Sequence, residues 1–447
     1  MPLKKDTIVK LKRFRNDRRA YFSFIVLLAL FLVTLPAEWI CNVRPILLVV
    51  DGKPYFPILF TYSEKDFGGS LPSEPDYKSE SFLRLLKGEV AGRPGKELLG
   101  DFDENSPEFS LGLGDFEEDT ETPSPPNGMK EKEHSFPLGL EDFEEEESGS
   151  LESGTDQAVP LVSPASGGAG TVRAGPRDFW MIWPPIRYDY KYIPSRSETG
   201  TIVLAAPYRT PARGGEGYAE SSMVDGHYLG TDDRGRDVLA RLVYGFRISM
   251  IFGLSLAITG TILGCFIGGL QGFFGGWVDL MGQRLTEIWG SIPRLYILII
   301  LSSFLVPSAL ILFVILNLTA WMGIAAYIRA EFLKIRNFEF VKAAKAMGVT
   351  NFGIMRRHIL PNALTPVVTF FPFEVTAGIL ALVSLDYLNL GVPSPAPSMG
   401  ELLAQGKNNL QAIWILLPTF TLLTVALTLL TFVGEGIRNA FDPRKAV

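Results

Sequence analysis

The sequence predicts an all-α polytopic membrane protein with six transmembrane helices and a long, partly disordered extracytoplasmic insert. Three observations carry that expectation. Six segments approach the roughly 20 mostly apolar residues that a bilayer crossing takes. Lys and Arg collect beside alternate ends of these segments, the usual mark of the cytoplasmic side. Charge is segregated from apolar residues along the chain. Of 447 residues, 47% are hydrophobic and 20% charged, with a mean hydropathy of +0.20. Glu97 to Glu152 alone holds 19 acidic and 2 basic side chains, a local net of −17 against −6 for the whole, which leaves +11 elsewhere. The pI near 5.4 thus describes an insert, not the membrane body.

In chain order, residues 1–20 form a basic cytoplasmic arm with Lys4, Lys5, Lys10, Lys12, Arg13, Arg15, Arg18 and Arg19. Tyr21–Ile40 is the first span. It is too long for a signal-peptide core and ends in Glu38-Trp39, so it reads as an uncleaved anchor. Residues 41–247 are extracytoplasmic. Their ends, Tyr55–Phe60 and Phe179–Trp183, carry aromatics suited to packing or to a membrane interface. Their middle, about 80–175, is too rich in Glu, Asp, Gly, Ser and Pro to offset the entropy of ordering. Within it Phe109–Glu118 recurs in degenerate form as Phe136–Glu145; two copies are too few for a solenoid, and disordered filler outweighs a recognition peptide. Asp101-Phe-Asp103-Glu-Asn105 fails as a calcium loop, because Ser106 and Gly112 stand where Gly and Glu are needed.

The transmembrane core is 248–433, with spans Ile248–Leu270, Ile292–Pro307, Ala309–Tyr327, Thr365–Leu385 and Ile413–Val433. The third is short, and Pro293 blurs its start. Residues 271–291, 328–364 and the tail 434–447 then lie inside. The middle loop holds Arg329, Lys334, Arg336, Lys342, Lys345, Arg356 and Arg357, whereas the opposite-side loop 386–412 has only Lys407. Cys41 and Cys265 sit at the end of one span and inside another, so no disulfide framework is indicated.

Two motifs stand out. In loop 328–364, Phe340-Val-Lys-Ala-Ala-Lys-Ala-Met-Gly348 is followed by His358-Ile-Leu-Pro361. Val341–Met347 is a strong helix former, Gly348 suits a helix C-cap, and Asn351–Leu360 can form a second helix that Pro361 would stop. Ala343, Ala344 and Gly348 are small enough for another protein to approach closely. Taken alone, the unit also reads as an ordinary surface hairpin. Ahead of the second span runs Tyr228–Ser249, YLGTDDRGRDVLARLVYGFRIS. Thr231 or Asp232 can cap a helix start. Arg236, Asp237, Arg241 and Arg247 then recur along an amphipathic helix, whose plain reading is a charged surface helix at the membrane face.

Catalytic signatures do not occur. The sequence has no G-x-x-x-x-G-K-[ST] phosphate loop and no G-x-S-x-G elbow, and His134, His227 and His358 lie far apart. The expectation is a non-enzyme without cofactor or metal.

The two motifs, with RHILPN (357–362), SLDYLNLGVPSPAPSMGELLAQGKNNL (384–410) and GEGIRNAFDP (434–443), resemble the C-type permease subunits of the oligopeptide/dipeptide ABC importer family. YFPILFTYSEKDFGGSLPSEPDY (55–77) and the terminal NAFDPRKAV resemble its Yej-type branch. The resemblance covers about 10–78 and 180–447; the 80–175 insert departs from it, and Lys342 stands where the "EAA" loop has its name-giving Glu. It implies a type I ABC importer permease fold. It also implies partners: a second homologous permease, two ATP-binding subunits that do the hydrolysis, an extracytoplasmic peptide-binding protein and the lipid bilayer, but no nucleic acid. Loop 340–361 would dock on the ATPase. Ala343, Ala344 and Gly348 would make close contact, Leu360 and Pro361 would fix the exit, and Arg356 and Arg357 would pair with acidic groups or merely obey the charge rule. Glu374, mid-span after Pro372, is the sharper of two charged candidates, with Glu287; it faces the pore or bridges two helices. A non-peptide solute is the alternative cargo. A stand-alone channel needs no such loop, and a membrane-anchored binding protein fits poorly with a disorder-like insert.

Overall fold

The computed structural model describes residues 5–88, 178–194, 202–211, 218–305 and 308–441. The chain divides into two units, 1–89 with 175–447, and 90–174. The second unit holds the acidic run, both copies of the repeat and the Asp101 segment, and lies outside the described residues. All the elements named below belong to the first unit.

A basic helix α1 (Lys5–Asn16) leads to α2 (Arg18–Thr34), whose first turn is capped by Asp17. The chain breaks at Leu35-Pro36 and resumes as a single turn, α3 (Ala37–Ile40). The first predicted span is therefore two pieces, because Pro36 cannot continue the helical hydrogen bonding. Strands β1 (Leu47–Val50) and β2 (Lys53–Tyr55) form a hairpin through Asp51-Gly52, both at positive φ (49° and 75°), the conformation that tight hairpins require. Strand β3 (Phe179–Ile182) pairs antiparallel with β1, Leu47 opposite Ile182, in the order β2-β1-β3. Helix α4 (Glu80–Leu86) starts on a Ser79 cap. Leu48, Val50, Phe67, Tyr77, Phe82 and Leu86 bury one another beneath this sheet. The expected helical architecture stands, with a small sheet added outside the membrane helices, and Phe82 and Leu86 are core residues at the near edge of the insert expected from about 80. A two-residue ladder, β4 (Thr210–Pro211) with β5 (Tyr218–Ala219), precedes the helical body.

Helices α5 (Val238–Phe274), α8 (Ala309–Ile335), α11 (Leu360–Tyr387) and α13 (Ile413–Phe441) carry the stretches that are long and apolar enough to cross a membrane. Between them lie α6 (Gly276–Gly290), α7 (Arg294–Phe304) and α12 (Met399–Asn408). The third predicted span needs revision: α7 has 11 residues, about 16 Å at 1.5 Å per residue, too short for a hydrocarbon core of about 30 Å. The missing length lies in α6, on the other side of the extended Pro293. Six crossings can be counted only if α6 and α7 together make one.

Packing in the body rests on a feature not singled out in the sequence. Gly260, Gly264, Gly268 and Gly272 recur every fourth residue on α5, and all four are buried. A Cβ on Gly264 would stand 2.8 Å from both Ile324 Cβ and the Trp321 carbonyl; one on Gly272 would stand 2.6 Å from the Arg329 carbonyl. The ridge therefore lets α8 approach backbone to backbone, as small-residue faces do in membranes. Gly253 does the same for α11, where an added Cβ would lie 2.9 Å from the Val375 carbonyl.

Candidate functional site

Between α8 and α11 the chain forms a compact hairpin. Helix α9 (Glu339–Ala346) ends at Met347, and Gly348 takes φ +76°. The Gly348 N–H then donates to Lys345 O and the Val349 N–H to Ala344 O, each at 3.1 Å. This left-handed exit is the reason for a glycine. A Cβ at Gly348 would meet nothing within 4 Å, so its surroundings are open and only the backbone is constrained. Thr350 Oγ1 accepts from Gly353 N at 3.2 Å and starts α10 (Asn351–Ile354).

The second helix does not stop at Pro361, contrary to the sequence expectation. Met355–Ile359 widen into a π turn, in which Leu360 N donates to Met355 O, and α11 continues without a break. Pro361 therefore sits inside a continuous helix, directly after the widened turn, which accommodates the N–H that it lacks. The second arm of the hairpin, α10, is thereby continuous with a membrane helix.

The inner face of the hairpin is core. Val341, Ala344, Ile354 and Ile359 pack with Ile324, Ile328, Phe332 and Ile335 of α8 and with Ala363 and Val367 of α11, and Leu360 leans on the same cluster. Ala344 is thus turned inward, 1% exposed, and the reading of it as an outward contact is corrected: it lies about 100° round the helix from exposed Ala343, on the side packed against α8 and α11. The outer face holds exposed Ala343, Met347 (75% exposed) and Phe352 (67%), with Phe340 beside them. Arg356, Arg357 and Pro361 are also exposed. Met347 and Phe352 were missed because the motif reading looked for small residues, whereas large apolar residues on a charged loop were the available signal. Lys342 is occupied by Glu339, at 3.0 Å.

The second motif is not a surface helix. Asp237 caps α5 by accepting from Ala240 N at 2.7 Å, and the residues before it turn inward. Arg236 and Arg241 are 2% and 0% exposed. Arg236 donates to Asp232 at 2.7 Å, to Glu401 of α12 at 3.1 Å and to Ser394 at 3.0 Å. Arg241 pairs with the other Glu401 oxygen, lies 3.5 Å from Asp232 and donates to Tyr190 O at 3.1 Å. Burial opposes the charge on Arg236, but Asp232 and Glu401 outweigh it and hold its pKa above the ordinary value. Thr231 ties the same loop down, donating to Ile202 O at 2.7 Å and accepting from Ala205 N at 2.8 Å. Arg247 alone is peripheral, paired with Glu38 at 2.8 Å. Glu374 is half-buried on α11 toward α8, where a Cβ on Gly323 would lie 3.9 Å from its Oε1. Glu287 pairs with Arg284 at 2.6 Å on exposed α6.

Residues 260–447, which run from the C-terminal part of α5 through α8, the hairpin and α11 to α13, match the family described as binding-protein-dependent transport system inner membrane component. The peptidoglycan transport system permease protein YejE of Agrobacterium fabrum is 37% identical over 463 residues, 99% of this chain and 98% of that protein. The inner membrane ABC transporter permease protein YejE of Escherichia coli K12 is 35% identical, over 97% and 96%. The oligopeptide transport system permease protein OppC of the same organism is 38% identical over 223 residues, half of this chain and 74% of its own length. The chain belongs to the permease subunits of binding-protein-dependent ABC transporters, as a multi-pass inner-membrane component of the kind that is not itself catalytic. Within them it aligns end to end with the YejE permeases, and over its core with the oligopeptide permeases.

Proposed function

We propose that this chain is one half of the translocation path of an ATP-driven importer of oligopeptides or related small peptides, and that hairpin 336–359 is where a separate ATP-binding subunit engages it. The observation that carries the reading is the two-sided hairpin. Its outer face offers Ala343, Met347 and Phe352 to a partner, while its inner face is packed into α8 and α11. A push on the outside therefore reaches the membrane helices through close-packed atoms. Arg356 and Arg357 add charge that suits an acidic rim, and Gly348 and Pro361 set the turn and the exit. The similarity to YejE and OppC permeases supports peptides as cargo and supports an assembly with a second permease, two ATP-binding subunits and an extracytoplasmic peptide-binding protein. In this reading residues 1–20, 328–364 and 434–447 are cytoplasmic, and the region between α3 and α5 is outside. Glu374 is the candidate contact for substrate in the path.

The test is a cysteine at position 343, on the exposed side, rather than at buried 344. Oxidative crosslinking in the assembled complex should trap the ATP-binding subunit. A complex that assembles and hydrolyses ATP but yields no crosslink from 343 or 347 would sink the assignment.

A further inference from the structure

Outside the membrane helices, the region between α3 and α5 holds a cleft of about 1070 Å³ that the transport reading does not use. Its walls include Phe179 and Met181 of β3, Trp183, Tyr188 and Tyr192, with Leu83 from α4. Into these aromatics projects Lys78. Its Nζ is buried and has no hydrogen-bond acceptor among the described residues. The ammonium sits 3.4 Å from the centroid of the Tyr188 ring and 5.2 Å from that of Tyr192. Ring faces attract a cation but satisfy none of its three N–H donors. No carboxylate among the described residues lies within hydrogen-bond reach of this ammonium; Asp76, Asp237 and Asp189 act on it only from further off, whereas a buried charge is ordinarily paired directly. The guanidinium of Arg187, 5.8 Å above the Trp183 ring, adds a second positive group to the cleft.

We propose that this cleft is a ligand site for a small organic monocarboxylate with an aromatic or branched apolar body, its carboxylate received by Lys78. The apolar walls supply the body's contact area, as in most small-molecule sites. The rim selects against more highly charged anions, because Asp76, Glu80 and Asp225 also line the cleft. The same carboxylates tolerate a ligand that carries an amino group as well. Burial lowers the Lys78 pKa to about 8; Asp76, Asp237 and Asp189 oppose that fall, and Arg187 adds to it.

Occupancy has a route to the membrane body. Tyr188 stacks on His227 at 3.9 Å between centroids and 18° between planes. Two groups that near to one ring centroid cannot share a face, so Tyr188 is clamped between Lys78 and His227. His227 Nδ1 lies 2.8 Å from Asp237 Oδ2, and Asp237 is the cap of α5. The site goes beyond the transport reading and does not depend on it.

The test uses the full chain in its complex, in detergent, with N-acetyl-L-phenylalanine and its uncharged amide as probes in isothermal titration. The acid should bind saturably at pH 7 and at least tenfold more tightly than the amide. Its affinity should fall tenfold or more between pH 7 and pH 9.5, as Lys78 loses its proton. Lys78→Met should lose the preference for the acid, while Lys78→Arg should keep it. No saturable binding of the acid, or equal affinity for acid and amide in the natural chain, overturns the proposal without recourse to a variant. An acid preference that survives Lys78→Met in a folded complex overturns it as well. Peptide import measured in parallel separates the two readings, since loss of import leaves the titration result standing.

Discussion

Glu401→Ala is the most informative single change in the buried charge cluster. Glu401 is the shared acceptor of Arg236 and Arg241, with one carboxylate oxygen for each. Removing it leaves two guanidinium groups, 2% and 0% exposed, to share Asp232, which already accepts from the backbone N–H of Arg234 and Arg236. Breaking a buried pair by deleting one partner costs about 3–5 kcal/mol. Glu401 is itself 15% exposed, so some water can reach the gap and the lower end applies. A local loss of about 3 kcal/mol corresponds to roughly 100-fold faster opening, at tenfold per 1.4 kcal/mol. Native-state hydrogen exchange reads this locally. The amides to follow are Leu204, Thr231 and Asp232, which donate to Asp232 O, Ala205 O and Arg236 O at 2.9–3.0 Å. Glu401→Gln keeps an acceptor and should cost about half as much. Arg241→Met with Glu401→Met removes the charges together and should approach neutrality, as buried pairs replaced by apolar groups do. Exchange faster by less than threefold in Glu401→Ala, or a double variant worse than the single, would show that the cluster does not hold the loop.

Other expectations rest on the same geometry. Gly264→Leu should stop α5 and α8 from closing, because even a Cβ would lie 2.8 Å from Trp321 O; assembled complex recovered at the natural yield would refute the close-approach reading. Gly348→Asp forces a side chain onto φ +76° in open space. That strain is of order 1 kcal/mol, so the complex should still insert while transport fails, and undiminished transport would remove Gly348 from the coupling surface. Glu374→Gln should weaken import of peptides with a free amino terminus more than of N-acetylated ones, and equal loss would mean a structural role. Lys78 has a folded pKa of about 8 against 10.5 when free. The folded chain binds fewer protons between these values, so stability should rise from about pH 8 to pH 10.5. A flat thermal-denaturation profile there, or one that keeps its slope in Lys78→Met, would contradict the burial.

How much of this was legible in the sequence depends on which force acts. Apolar length alone located α5, α8, α11 and α13, because a helix satisfies its own backbone and can cross a bilayer wherever it is long and apolar enough. It misjudged the third span, since α6 carries Asp279, Arg284 and Glu287 and so reads as a loop. Asp279 is matched by Arg329 of α8, a tertiary pairing that no local window contains. The hairpin was found by its spacing and its left-handed glycine, but its facing was not, because facing depends on where α8 and α11 stand. The inward turn of Arg236 and Arg241 was hidden for the same reason. Their partner Glu401 lies 160 residues or more away in sequence, and a charged stretch read by itself defaults to the surface.

The glycine ridge and the hairpin bear on one another. The hairpin's inner face is continuous with the C-terminal half of α8 through Ile324, Ile328, Phe332 and Ile335. That half of α8 is the part that Gly264, Gly268 and Gly272 hold against α5, at Ile324, Ala325 and Arg329. Backbones that close cannot slide by less than a turn without collision, and packed interiors shift between discrete arrangements rather than deform continuously. A displacement of α9 is then shared by α8, α5 and the start of α11 as one body. Compliance must lie where this body ends. One such point is Gly275-Gly276, both at positive φ (61° and 53°), where α6 leaves α5 and a Cβ on Gly276 would meet nothing. Another is α11 itself, where Pro366 and Pro372 each remove a helical hydrogen bond. Glu374 comes two residues after the second proline. If α11 bends there, the carboxylate changes its surroundings each time the hairpin is pushed, which places the candidate substrate contact at the joint rather than on the rigid body.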